Sequence, residues 1–255
     1  MTDQPSPTPA RSEPPRTHVH DTVTREEAKR RLTDAWDETV THELTPRHLE
    51  MRRLADAARL VIERLVSTGA PEAALVAAAD TLEQVAAALD EHPHGSIYEG
   101  FAEAANSGAS PQMAFFDHSP LIGKANPLAA PIEVAIEGDK VIGRATFGTA
   151  YEGPPGCVHG GFVAASFDEI LGAAQSMSGL PAMTGTLTVR YRKPTPLHRE
   201  LRFEGELVKV EGRKVFATGR VFAGDTMTAE AEGIFITIDF ERFRTLIEER
   251  DQPAP

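Results

Sequence analysis

HGGFVAASFDEILGAAQSM, residues 159–177, is the stretch whose reading decides the fold. Val163, Phe167, Ile170, Leu171 and Ala174 recur at helical spacing and form one apolar stripe. Gly160, Gly161, Ala164, Ala165, Gly172 and Ala173 keep much of the remaining surface small, so the helix is enclosed by a sheet or by a neighbour. On both sides of it the period drops to two. Upstream, residues 132–137 and 140–147 flank Gly138-Asp139. Downstream, Leu187, Val189 and Tyr191 alternate with Thr188 and Arg190 within residues 184–192. Residues 201–210, 213–223 and 226–238 then follow one another through Glu211-Gly212 and Gly224-Asp225. Two-residue connectors of this composition match the twist of antiparallel hairpins. The order of two strands, one long helix and four strands predicts an α+β fold in which one antiparallel sheet curls around one helix.

The rest of the chain divides around this unit. Residues 1–23 are rich in Pro, Ser and Thr and predict a disordered tail. Residues 24–92 predict a helical extension, with Thr24 at a helix start. Leu54, Ala58, Val61 and Leu65 form one stripe, and after Gly69-Ala70-Pro71 a second stripe runs through Leu75, Ala78, Leu82, Val85 and Leu89. The expectation is a helical hairpin that packs on its own domain or on a dimer mate. Residues 93–130 connect to the sheet domain at 131–240, and 241–255 form a C-terminal tail. His92-Pro93-His94 carries two imidazoles, but no acid or cysteine stands at ligand spacing, so no metal site is expected.

Composition narrows the function classes. The 255 residues carry a formal charge of −12, which disfavours a nucleic-acid partner while leaving room for a local basic patch. A single cysteine, Cys157, excludes an intrachain disulfide and fits a reducing compartment. Neither a signal-peptide h-region nor an apolar run of membrane-spanning length is visible, and the protein reads as cytoplasmic. The Gly-x-Ser-x-Gly elbow, P-loop, dinucleotide fingerprint and His-Glu-x-x-His are all absent from the sequence.

Chemistry concentrates where the central helix starts. Glycines at a helix N-terminus expose free N–H groups, suited to an oxygen that gains negative charge when a carbonyl is attacked, and Gly160 or Gly161 is the natural donor. Asp168 falls among Ala164, Ala165, Phe167 and Gly172, where an unpaired carboxylate is costly. The alternatives for it are a catalytic acid and one that is solvated or satisfied by a hydroxyl; Glu169 beside it reads as a plain surface acid. Gly160 and Asp168 are separated by roughly 12 Å along one helix at ~1.5 Å per residue, too far to share one carbonyl. A site that uses both must take Gly160 from one chain and Asp168 from another, which predicts an obligatory homodimer, alone or paired into a dimer of dimers.

His159-Gly160-Gly161, Asp168 nine residues on, Met183-Thr184, and Tyr191-Arg192-Lys193-Pro194-Thr195-Pro196-Leu197 together resemble the hotdog thioesterases of the PaaI-like superfamily. Gly153-Pro154-Pro155-Gly156, and Thr184 sixteen residues after Asp168, are most similar to the carboxyl-terminal modulator protein subgroup of acyl-CoA thioesterases. The resemblance covers about half the chain, from the Phe115 region to Asp239, and leaves out the N-terminal helices. It implies Asp168 as base or nucleophile toward a thioester, the Gly160 N–H as polarising donor, and Thr184 as a hydroxyl holding Asp168 or the attacking water. His159 either orients the Gly160 loop or contacts the thioester oxygen. Some relatives carry Asn six residues before this His, where this chain has Gly153.

The substrate implied is an acyl-CoA, hydrolysed with no metal or redox cofactor. Tyr191, Arg192 and Lys193 could meet the phosphates or pantetheine arm of coenzyme A, or form a solvated strand end. Gly161 admits the ligand to the backbone, and Phe162, Phe167 and Met177 are candidate walls for an acyl tail lying between the helix and its dimer mate. A second reading is a hotdog protein that binds acyl-CoA as a sensor without turnover.

Overall fold

Three glycines with positive φ punctuate the sheet: Gly138 (63°), Gly212 (57°) and Gly224 (58°) each open a two-residue hairpin loop. They join β1 (Glu133–Glu137) to β2 (Lys140–Thr146), β4 (Glu200–Glu211) to β5 (Lys214–Ala223), and β5 to β6 (Thr226–Thr237). The second loop is Gly212-Arg213, one residue beyond the expected Glu211-Gly212, because Glu211 still pairs with Lys214 in the ladder. With β3 (Ala182–Tyr191) these make one six-stranded antiparallel sheet in the order β1-β2-β4-β5-β6-β3. The computed structural model describes residues 26, 30, 45–92, 117–130, 132–180 and 182–238. The expected tail at 1–23, the helix start at Thr24, most of the connecting segment and residues 241–255 lie outside them.

The long helix, here α3 (Gly160–Ser176), packs across the middle strands. Its predicted stripe is the buried one: Val163, Phe167, Ile170, Leu171 and Ala174 face Leu201, Phe203, Val215, Val221 and Phe235. Alternation in β4 and β5 points every second side chain at this helix. Gly143 and Gly205 let the helix approach closely, since a Cβ at either would stand 2.5 Å and 2.8 Å from Ile170 methyl carbons.

Two further helices precede the sheet, α1 (Pro46–Leu65) and α2 (Glu72–Asp90). Thr45 caps α1 by accepting the His48 N–H, with Pro46 in the first turn. The apolar stripes are not the faces that dock on the sheet domain. Leu54 and Leu65 are 46% and 58% exposed, and α2 buries none of its residues, so within the described residues of one chain the stripes stay unpacked, which leaves the expected packing on a dimer mate. Instead Arg52, Ala55, Arg59, Ile62 and Glu63 turn inward along α1.

Candidate active site

The loop before α3 is shaped by short local bonds. Gly156 N donates to Glu152 Oε1 at 2.6 Å, Gly153 N to the Cys157 carbonyl at 2.9 Å, and Val158 N to the Thr195 carbonyl at 2.8 Å. His159 then caps the helix, its Nδ1 accepting the Gly161 N–H at 3.0 Å. This bond fixes Nδ1 as an acceptor and leaves Nε2 to carry the proton of the neutral ring. It also commits Gly161, whereas the Gly160 N–H donates to nothing among the described residues. Of the two glycines, Gly160 therefore offers the free donor. Gly153 packs under His159, where a Cβ would stand 2.7 Å from the His159 Cα, so the Asn of some relatives has no room here.

β3 meets α3 at both ends of the site. At one end the Thr184 hydroxyl donates to Asp168 Oδ1 at 2.8 Å; at the other the Tyr191 hydroxyl donates to the Gly160 carbonyl at 2.7 Å. Asp168 is half-buried and satisfied by a neighbouring hydroxyl. A register shift between Thr184 and Thr186 makes Gly185 a bulge that sets the aim of Thr184, a feature whose sequence signal was a glycine inside a strand pattern. Tyr191 is engaged with the Gly160 loop, and Arg192 is ion-paired with Glu230, whose pKa is lowered chiefly by that hydrogen bond. Lys193 is exposed and unpaired among the described residues. No cluster of three metal-ligating side chains occurs among the described residues.

Glu169 departs from its reading as a surface acid. It is half-buried, and burial first, then the charge of Asp168, push its pKa up to about 7 against the lowering effect of a hydrogen bond from Ser119. Ser119 is itself buried, and its Oγ accepts the N–H groups of Leu121 and Ile122 at 3.2 Å and 3.3 Å. The sequence signal was spacing: Glu169 follows Gly161 and Ala165 at i+8 and i+4 on one helix face, the face that meets the 117–128 segment.

A cavity of about 580 Å³ opens on that face beside His159 and Gly161. Phe162 lines it, edge-on to Tyr151 with ring centroids 4.9 Å apart. Tyr151, not singled out from the sequence, donates its hydroxyl to the Leu128 carbonyl at 3.2 Å. Phe167 and Met177, expected as walls beside Phe162, are buried in the sheet core instead, with Phe167 edge-on to Phe203 at 5.6 Å. Phe167 belongs to the stripe that faces the strands, and Met177, at the C-cap of α3, joins the same core.

Fold and site together define a hotdog domain built around a helix-start amide and a helix-borne carboxylate. Residues 155–230 match the family described as Thioesterase superfamily. The crystal structure of a thioesterase superfamily protein is 34% identical, covers 73% of this chain and 94% of its own, and superposes with a TM-score of 0.64. This chain belongs to the thioesterase superfamily. Within it, acyl-coenzyme A thioesterase THEM4 of Bos taurus is 37% identical over 100 residues, 38% of this chain and 41% of that one. Acyl-coenzyme A thioesterase THEM5 of Homo sapiens is 30% identical over 96 residues, 37% of this chain and 39% of that one. The chain thus spans about two-fifths of the length of these curated relatives. No described helix is long and apolar enough to cross a membrane.

Proposed function

We propose that the protein hydrolyses acyl-CoA thioesters in a site shared between two copies of the chain. The observation that carries this reading is the pairing on one helix of an uncommitted N–H at Gly160 with a carboxylate at Asp168 that Thr184 holds in place. The thioester carbonyl accepts from the Gly160 N–H of one protomer, oriented by the His159 cap and the Tyr191 hydroxyl. Asp168 of the other takes a proton from water as its oxygen bonds the carbonyl carbon, or attacks directly to form an anhydride that water then opens. The oxyanion collapses, the C–S bond breaks, and coenzyme A leaves as thiolate. Lys193, just past the end of β3 and beside the Arg192–Glu230 ion pair, suits the nucleotide phosphates.

The free outer edge of β3, ten residues long with mostly exposed side chains, supports pairing with a second copy. Subunit complementation tests the shared site. Asp168→Asn removes the carboxylate. Gly160→Pro deletes the donor at a position where proline fits a helix start, since His159 already has φ −58° and ψ 132°. Each homodimer alone should be inactive. Randomly mixed chains should recover about a quarter of wild-type thiol release, because half the dimers are mixed and each of those holds one intact site of two. No recovery, with mixed dimers verified by mass, refutes the shared site.

A further inference from the structure

The N-terminal helices stand outside the sheet domain, yet α1 reaches the cavity beside the Gly160 loop. Its inward face is held by polar contacts spaced along the helix at residues 52, 59 and 63. Arg52 clasps the buried Asp117 carboxylate, with Nε at 3.0 Å and Nη2 at 2.7 Å. Arg59 donates to the carbonyls of Asn126 at 2.7 Å and Lys124 at 2.9 Å. Glu63 accepts the N–H groups of Thr149 and Ala150 at 2.9 Å and 3.1 Å, across Gly148, where a Cβ would lie 2.5 Å from its Oε2. These partners belong to the two segments that wall the cavity: 117–128, which carries Leu121 and Leu128, and the 3-10 turn Thr149–Tyr151.

Between the polar contacts α1 contributes one side chain to the cavity, Ile62. The opposite walls are Leu121, Leu128, Tyr151, Phe162 and Ala165, so the space is apolar. Its charged neighbours Arg59 and Glu63 are spent on backbone partners and are not among its lining residues. A ligand there must be an apolar group continuous with whatever sits at His159 and Gly161. We infer that the cavity takes the acyl tail and that Ile62, held by the Arg52, Arg59 and Glu63 contacts, limits its length. This rests on the acyl-CoA reading above and moves the tail from the interface between helices into a space roofed by the same chain's α1.

Binding of non-hydrolysable thioethers tests the inference apart from turnover. Isothermal titration of S-ethyl-, S-decyl- and S-hexadecyl-coenzyme A is run on the full chain, Ile62→Trp and Ile62→Ala. Ile62→Trp should lower the decyl-to-ethyl affinity ratio by about tenfold, the loss expected when roughly two methylenes can no longer be buried. Ile62→Ala should raise the hexadecyl-to-decyl ratio. Ratios unchanged in both variants, each shown to unfold cooperatively, overturn the assignment, as does failure of the wild type to bind S-decyl-coenzyme A. Shifted ratios without any thiol release from acyl-CoAs remove the hydrolase reading and leave the cavity assignment standing.

Discussion

Replacing Glu169 by glutamine removes one titration from the half-buried face of α3 and nothing else of similar size. In the fold the carboxyl titrates near 7, against its ordinary 4.5, because burial and the Asp168 charge both disfavour ionisation. Between those values the folded state binds more protons than the unfolded state. The favourable contribution is therefore complete below pH 4.5 and is lost as pH rises through 7. A displacement of this size corresponds to about 3 kcal/mol in full, of which about 2–3 kcal/mol falls between pH 5 and 8. Glutamine keeps an oxygen to accept from Ser119 and has no charge to place. Urea unfolding of both proteins from pH 5 to pH 8, at one protein concentration, should show the variant gaining about 2–3 kcal/mol over wild type across the range. Parallel stability curves would refute the reasoning. Asp168→Asn takes away the second cause and should reduce the pH slope of the parent.

Thr184→Val removes the hydroxyl bond to Asp168 and leaves a side chain of the same shape. A bond to a charged group contributes about 1.5–3 kcal/mol, so kcat for thiol release should fall about 10- to 100-fold with KM little changed. Phe167→Ala empties a fully buried position against Phe203 and should cost about 3–5 kcal/mol in urea unfolding. Gly153→Asn restores the side chain of some relatives yet drives a Cβ into the His159 backbone; it should cost about 1–3 kcal/mol in stability and slow turnover. Thermal unfolding and thiol release measured together separate those two effects.

The sheet and its helix were legible because their signals are local. Period-two strands, glycines opening tight loops and a single apolar stripe along 159–177 can each be read within a dozen residues. The docking of α1 was not legible. Apolar periodicity picked out Leu54, Val61 and Leu65, whereas α1 is held by Arg52 to Asp117 and Glu63 to Thr149, pairs far apart in sequence with no local pattern. The same gap hid Glu169, whose burial is the main cause of its raised pKa and whose hydrogen-bond partner Ser119 lies fifty residues earlier. Phe162 and Phe167 were read as walls of one channel although they sit five residues apart, roughly 140° around a helix. The stripe that assigns Phe167 to the sheet already excluded it from the face of Phe162.

In the helix-start loop, glycine placement alone pointed to Gly160 or Gly161 as the donor, while the roles considered for His159 came from resemblance. That Gly161 is occupied by His159, and Gly160 is not, needed coordinates. Thr184 came from resemblance, and the bulge at Gly185 accounts physically for its aim.

Release of free thiol from short, medium, long and aromatic acyl-CoAs, by wild type and Asp168→Asn in parallel, tests the central claim most directly. The account predicts turnover by the wild type on at least one of them and its collapse in the variant, with acyl-CoA still bound. Equal turnover by both proteins, or tight binding of acyl-CoA with no turnover by either, would contradict it.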